Sequence, residues 1–182
     1  VRHLPNVITI IRILFVPVLL ILLLSSDKFI NCVAAFFYAV VSLTDMLDGY
    51  LARRHNAITD TGKLIDPLAD KLLISTALIM LISLDRVQAW VVALIIGREL
   101  AVTGLRSVAS TGGVVIQASS MGKYKTIFQA VAATLLIAHY EYFMIDFHRT
   151  GMVFLWIALA ITLWSGIDYF WKYFAVQIKE RG

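Results

Sequence analysis

Cysteine is almost missing from this 182-residue chain: Cys32 stands alone, so no intrachain disulfide can form, and the thiol is expected to be a small apolar filler in a helix. Charge is scarce as well. Asp, Glu, Lys and Arg make up 15% of the residues against 60% hydrophobic ones, and the mean hydropathy is +0.83. Soluble domains carry roughly 45 to 50% apolar residues, so the composition is that of an integral membrane protein. No long hydrophilic insert divides the chain and no convincing internal repeat runs through it, which leaves residues 1–182 as a single domain. No basic stretch interleaved with aromatics is present either. The net charge of +4 and pI near 9.3 therefore have to be read by membrane side, and nucleic-acid binding is excluded.

What is present is a series of apolar runs. A spanning helix needs about 20 mostly apolar residues. Six stretches qualify: Val7 to Leu24, Phe29 to Ala52, Pro67 to Leu84, Val87 to Val108, Tyr124 to Phe143 and Met152 to Phe174. The fold class predicted is all-α, a polytopic membrane protein with six transmembrane helices. The first run is read as a span and not a cleaved leader, because it is long enough to cross and Leu23, Leu24, Ser25 and Ser26 make a poor small-x-small cleavage site. With both termini inside, thirteen Lys and Arg residues fall on one side and Lys28, Arg86 and Arg149 on the other. The positive-inside rule then makes both termini cytoplasmic in a multi-pass cell-membrane protein. Trp90, Tyr140, Tyr142, Trp156, Trp164, Tyr169 and Trp171 fall mainly near the ends of these runs and read as an interfacial belt.

Against this background the acids of one segment stand out. Asp45, Asp48, Asp66 and Asp70 lie within DMLDGYLARRHNAITDTGKLIDPLAD. An intramembrane acid costs roughly 3 kcal/mol on insertion scales, so an uncompensated cluster implies a ligand. At helical spacing Asp45, Asp48, Gly49 and Ala52 share one stripe, and Asp66 and Asp70 are an i, i+4 pair on the next helix. Pro67 is tolerated only in a first turn, which starts that helix near Gly62 or Lys63. A polar turn from about Arg53 to Thr61 can fold the two helices together. The result is an all-oxygen site suited to Mg2+, Mn2+ or Ca2+ and not to structural zinc. Gly49 and Ala52 leave a groove beside it, and Arg53 offers a planar fork for a phosphate at its mouth.

The run matches D-x2-D-G-x2-A-R-x8-G-x3-D-x3-D at every fixed position, namely Asp45, Asp48, Gly49, Ala52, Arg53, Gly62, Asp66 and Asp70. It resembles the signature of the CDP-alcohol phosphatidyltransferases, and the resemblance extends loosely over the six-helix layout. It implies an enzyme of phospholipid biosynthesis in which an alcohol hydroxyl attacks the β-phosphorus of CDP-diacylglycerol and expels CMP. It also implies that Asp45, Asp48, Asp66 and Asp70 hold Mg2+ or Mn2+, two ions being expected, with Asp70 also the general base. Gly49, Ala52, Arg53 and Gly62 would line the CDP site, and a homodimer is the family expectation. Charge neutralisation by carboxylate-held divalent ions is what phosphoryl-type transfer requires.

Three more polar segments lie at membrane depth. PNVITIIR places Asn6, Thr9 and Arg12 on one face near the cytoplasmic end; Asn6 and Thr9 are candidates for a second wall of the nucleotide pocket, although a cap at Asn6 and a snorkelling Arg12 account for the same pattern. GRELAVTGLRSVAS carries Arg98, Glu99 and Arg106, with Glu99 and Arg106 in line seven residues apart; one Glu–Arg pair leaves surplus positive charge, which asks for an anion. GKYKTIFQ sets Lys123 and Lys125 at a helix start, a phosphate cradle or a pair of topogenic lysines. Arg98, Arg106, Lys123 and Lys125 together suit an acceptor that itself bears a phosphate. RELAVTGLR and GKYKTIFQ are similar to segments of the bacterial family members that use sn-glycerol 3-phosphate, so that acceptor is expected, with inositol phosphate the nearest rival. An intramembrane prenyltransferase also binds diphosphate through Asp and Mg2+ but lacks this glycine and arginine grammar. A cation transporter would place its acids near the midplane of repeated halves.

Overall fold

The computed structural model describes residues 4–55, 60–111, 121–142 and 144–181; at 4–12, 45–55, 60–70, 108, 110, 111, 121, 123 and 176–181 it describes the backbone alone. Six helices follow in order: α1 Leu4–Leu23, α2 Lys28–His55, α3 Asp60–Ser83, α4 Ala89–Thr111, α5 Met121–Ala138 and α6 Phe147–Arg181. The helix count agrees with the hydropathy pattern, but α3 starts at Asp60, two residues before Gly62, so Pro67 is its eighth residue and not in the first turn as expected. The expected breaks at 53–61 and 109–123 are helical where they are described, since α2 runs to His55, α3 starts at Asp60, α4 runs to Thr111 and α5 starts at Met121; residues 56–59 and 112–120 lie outside the described ones.

The fifth and sixth helices depart from the sequence reading. The fifth ends at Ala138 instead of reaching Phe143, because His139 adopts a left-handed φ of 60° and its N–H returns to the Leu135 carbonyl at 2.9 Å. Glycine is the usual residue there, so the sequence carried no stop signal. A two-stranded antiparallel hairpin follows, β1 Glu141–Tyr142 and β2 Ile145–Asp146. Asp146 then accepts the Arg149 N–H at 2.9 Å and caps α6, which starts at Phe147 and not at Met152. Gly151, expected in a break, lies inside the helix as a packing residue. A Cβ on it would stand 2.9 Å from Leu136 Cγ, so its absence is what lets α5 and α6 approach.

Loops 24–27 and 84–88 and the hairpin gather at one end of the bundle. Tyr140 donates to the Ser26 carbonyl at 2.6 Å, Tyr142 to that of Lys28 at 3.1 Å, and Lys28 to that of Glu141 at 3.1 Å. Buried Arg86 donates to the carbonyls of Leu136 and Ile137, which α5 leaves without helical partners at its C-terminus. Asp85, at φ 55°, closes α3 in a Schellman turn, with Arg86 N–H on Leu81 O and Asp85 N–H on Ile82 O.

Between the ends the core is aliphatic. Leu19, Leu23, Leu78, Leu81, Ile95, Leu136 and Leu155 are buried, with Ala34, Ala77, Ala132 and Ala133 where helices come close. Helix α5 touches α2, α3 and α6; α1 lies on α2 and α3, and α4 on α3 and α6. Much of the exterior is apolar too: Ile21, Phe29, Phe36, Trp164, Ile167 and Trp171 are all more than 60% exposed. Among the described residues, Phe147–Ala175 is long and apolar enough to cross a membrane; Ile13–Leu23, Lys28–Thr44, Lys71–Ser83 and Tyr124–Ala138 are shorter apolar stretches.

Candidate functional site

Because the three tied loops occupy one end, the C-terminal turns of α2 and α4 and the N-terminal turns of α3 and α5 lie toward the other. The signature is distributed over two of these. Asp45, Asp48, Gly49, Ala52 and Arg53 occupy the last turns of α2, where continuous helix keeps the first four on one stripe, and Gly62, Asp66 and Asp70 occupy the first turns of α3. Asn6 and Thr9 lie in the first turns of α1, and Lys123 in that of α5. The side chains of all these residues lie outside the described ones. A donor set of four carboxylates on two helix ends fits hard divalent ions in chemistry; among the described residues no group of three His, Cys, Asp or Glu could hold a metal.

A small cleft adjoins them, lined by Tyr38 and Ser42 of α2, Lys71, Leu73 and Ile74 of α3, Glu99 of α4, and Lys125, Thr126, Gln129 and Ala130 of α5. Ser42 is one turn ahead of Asp45, and Lys71 directly follows Asp70. Lys71 donates to the Thr103 hydroxyl, which donates in turn to the Glu99 carbonyl at 2.7 Å. Lys125 is 8% exposed and donates to Glu99 Oε1. The same oxygen meets Arg98 Nη1 at 3.3 Å.

From Arg98 the contacts continue into α6. Its Nη2 donates to Ser165 Oγ at 2.7 Å, Ser165 donates to the Thr162 carbonyl at 3.2 Å, and Thr162 Oγ1 accepts from Gln129 Nε2 at 3.1 Å. Gln129 is one turn along α5 from Lys125, so the path Lys125, Glu99, Arg98, Ser165, Thr162, Gln129 closes on itself across α4, α5 and α6. Buried polar groups need partners, and this ring supplies them to four of the six buried polar residues among those described. One atom is left over: Arg98 Nε is buried without a hydrogen bond.

Arg98 and Lys125 are thus brought together, through Glu99. Arg106 is not part of this arrangement. Arg106 is an exposed residue whose guanidinium carbon sits 5.8 Å from the Tyr169 ring centroid on α6, and the carboxylate in line with it on α4 is engaged by Arg98 and Lys125. Sequence reasoning assigned no role to Ser42, Thr103, Gln129, Thr162 and Ser165, and Lys71 entered only as one of the thirteen Lys and Arg residues of one side. The available signal was weak: hydroxyl and amide side chains inside otherwise apolar helices, such as Thr162 and Ser165 three residues apart.

The model of the CDP-alcohol phosphatidyltransferase family matches residues 2–164. The chain belongs to that family. It is 41% identical to the Bacillus subtilis (strain 168) CDP-diacylglycerol–glycerol-3-phosphate 3-phosphatidyltransferase over 182 residues, covering 93% of this chain and 94% of that protein. It is 36% identical to the Rickettsia typhi protein of the same name, covering 93% and 96%. A Mycobacterium tuberculosis (strain H37Rv) protein named probable phosphatidylglycerophosphate synthase is 38% identical, over 93% of this chain and 80% of its own length.

Proposed function

We propose that this chain transfers the phosphatidyl group of CDP-diacylglycerol to sn-glycerol 3-phosphate, giving phosphatidylglycerol phosphate and CMP. The observation that carries this reading is the pair of cations on one Glu99 oxygen, Arg98 and the buried Lys125, with Lys125 and Glu99 lining a cleft beside the helix ends that bear the signature. Buried surplus positive charge in a lipid-facing protein suits an acceptor with its own phosphate and has no use for serine or free inositol. The names of the relatives support the same acceptor.

In this reading the acceptor hydroxyl gives its proton to Asp70, its oxygen bonds to the β-phosphorus, and the bond from that phosphorus to the CMP oxygen breaks. Asp45, Asp48, Asp66 and Asp70 would hold Mg2+ or Mn2+, expected as two ions, which neutralise diphosphate and leaving-group charge when bound. Gly49, Ala52 and Gly62 leave room for the cytidine, with Asn6 and Thr9 on the facing wall, and Arg53 takes a donor phosphate. Lys125 orients the acceptor, and Lys123, Arg98 and Arg106 add positive charge at the same end of the bundle.

The same proposal has six spanning helices, both termini and the signature on the cytoplasmic side, and a homodimer in the cell membrane. The apolar exterior supports membrane burial, and the split of Lys and Arg supports the sidedness. Helix ends, where the acids lie, are not where a midplane ion transporter would carry them.

The test is CMP release by purified protein in detergent–lipid micelles with CDP-diacylglycerol and Mg2+, across sn-glycerol 3-phosphate, inositol phosphate, serine and inositol. Release with sn-glycerol 3-phosphate alone is expected. Release only with another alcohol would replace the acceptor, and none with any would remove the enzymatic reading.

A further inference from the structure

Glu99 has a geometry that a plain structural counter-ion does not require. One of its oxygens, Oε1, takes both Arg98 and Lys125, so a half-buried and a buried cation share a single negative charge. The two cations differ in what else holds them. Arg98 is anchored by Ser165 on α6 and does not line the cleft, whereas Lys125 and Glu99 both do. Its guanidinium also has little room to leave, since a Cβ at Gly166 would already be 3.0 Å from its Nε. Lys125 is a flexible stem with three donors at its tip, and among the described residues it pairs with Glu99.

We propose that Glu99 is the resident anion of this cleft and that the acceptor binds by exchange. The phosphate takes Lys125 from Glu99, while Glu99 stays on Arg98. This rests on the acceptor reading above and adds a specificity-determining role to a residue outside the signature. A phosphate monoester carries a charge of about −1.5 to −2 at pH 7, more than the carboxylate it displaces, so the exchange is favourable for a dianion. A neutral alcohol brings nothing to replace the carboxylate and leaves the cleft closed. Glu99 thus raises the threshold for entry and keeps the Lys125 charge partnered in the meantime.

The exchange predicts that weakening the resident anion tightens binding of a bare phosphate. The probe is inorganic phosphate, read by thermal stabilisation of the purified protein without divalent ions, since a ligand that binds only the folded state raises its stability with concentration. Glu99→Gln should reach half-maximal stabilisation at a phosphate concentration at least fivefold lower than the wild type. Glu99→Asp, with a shorter reach to Lys125, should fall between them. The double variant Glu99→Gln, Lys125→Gln should not respond. In turnover assays Glu99→Gln should lower the apparent KM for sn-glycerol 3-phosphate several-fold and leave that for CDP-diacylglycerol unchanged. A purely structural Glu99 would give lower stability at every phosphate concentration and no such split.

If Glu99→Gln cannot be recovered folded, Glu99→Asp decides: a phosphate midpoint at least twofold below wild type supports exchange, and an equal or higher one overturns it. The two proposals fail separately. The phosphate order with no turnover of sn-glycerol 3-phosphate would remove the acceptor and leave the exchange, whereas turnover without that order would remove the exchange and leave the function.

Discussion

Gly166 on α6 makes the space in which Arg98 of α4 lies: a Cβ there would stand 3.0 Å from Arg98 Nε and 3.1 Å from its Cγ. Gly166→Ala should push the guanidinium away from Ser165, a contact worth about 1.5 to 3 kcal/mol for a charged donor. A loss on the order of tenfold in kcat/KM for the acceptor is expected, with the protein still folded. Unchanged acceptor kinetics would mean that the Arg98 position does not matter to the reaction.

Asp66→Asn and Asp70→Asn should each abolish turnover while the protein remains extractable and monodisperse. Mg2+ or Mn2+ should be required. Full CMP release in excess chelator would contradict a carboxylate-held metal.

Donor and acceptor contacts should separate kinetically. Lys125→Ala should raise the apparent KM for sn-glycerol 3-phosphate on the order of tenfold to a hundredfold, the loss of one charge-assisted contact, with little change for CDP-diacylglycerol. Arg106→Ala should act in the same direction but less, because Arg106 is exposed against Tyr169 and away from the Glu99 cluster. Arg53→Ala should move the CDP-diacylglycerol constant instead. If Lys125→Ala leaves the acceptor response untouched, the lysine is only a topogenic charge.

Sidedness is checked by labelling. Native Cys32 is exposed, so it is first replaced by Ala. A cysteine at His55 should then react only from the cytoplasmic side and one at Lys28 only from outside. The reverse pattern would invert the topology.

Acid should weaken the end of the bundle that carries the hairpin. His139 has its pKa lowered from 6.5, first by burial, then by Arg86 and by His148, with Asp146 opposing. The folded state therefore resists a proton that the unfolded chain accepts. Stability is full above the unfolded value and falls as pH drops through about 6.5, until the pH passes the lower folded value. His139→Asn tolerates the left-handed backbone and removes the titration, so its thermal midpoint should fall less between pH 7.5 and 5. Equal slopes for both proteins would assign the acid sensitivity elsewhere.

How much of this was legible without a structure depends on the range of the interactions involved. Helical periodicity is local, so six helices among the described residues and the shared stripe of Asp45, Asp48, Gly49 and Ala52 followed from spacing alone. The family followed from eight residues at fixed separations. Helix ends were less legible where the stop was a non-glycine left-handed residue, as at His139, or where a glycine served packing and not termination, as at Gly151. The adjacent Arg98 was a local partner for Glu99, but its second partner could not be read locally. Spacing put Arg106 in line with it, but seven residues along one helix separate side chains by two turns, while Lys125 reaches it from a neighbouring helix. That choice, and the ring through Ser165, Thr162 and Gln129, is decided by how α4, α5 and α6 pack, because a buried charge takes whatever partner the surrounding helices bring within hydrogen-bonding distance.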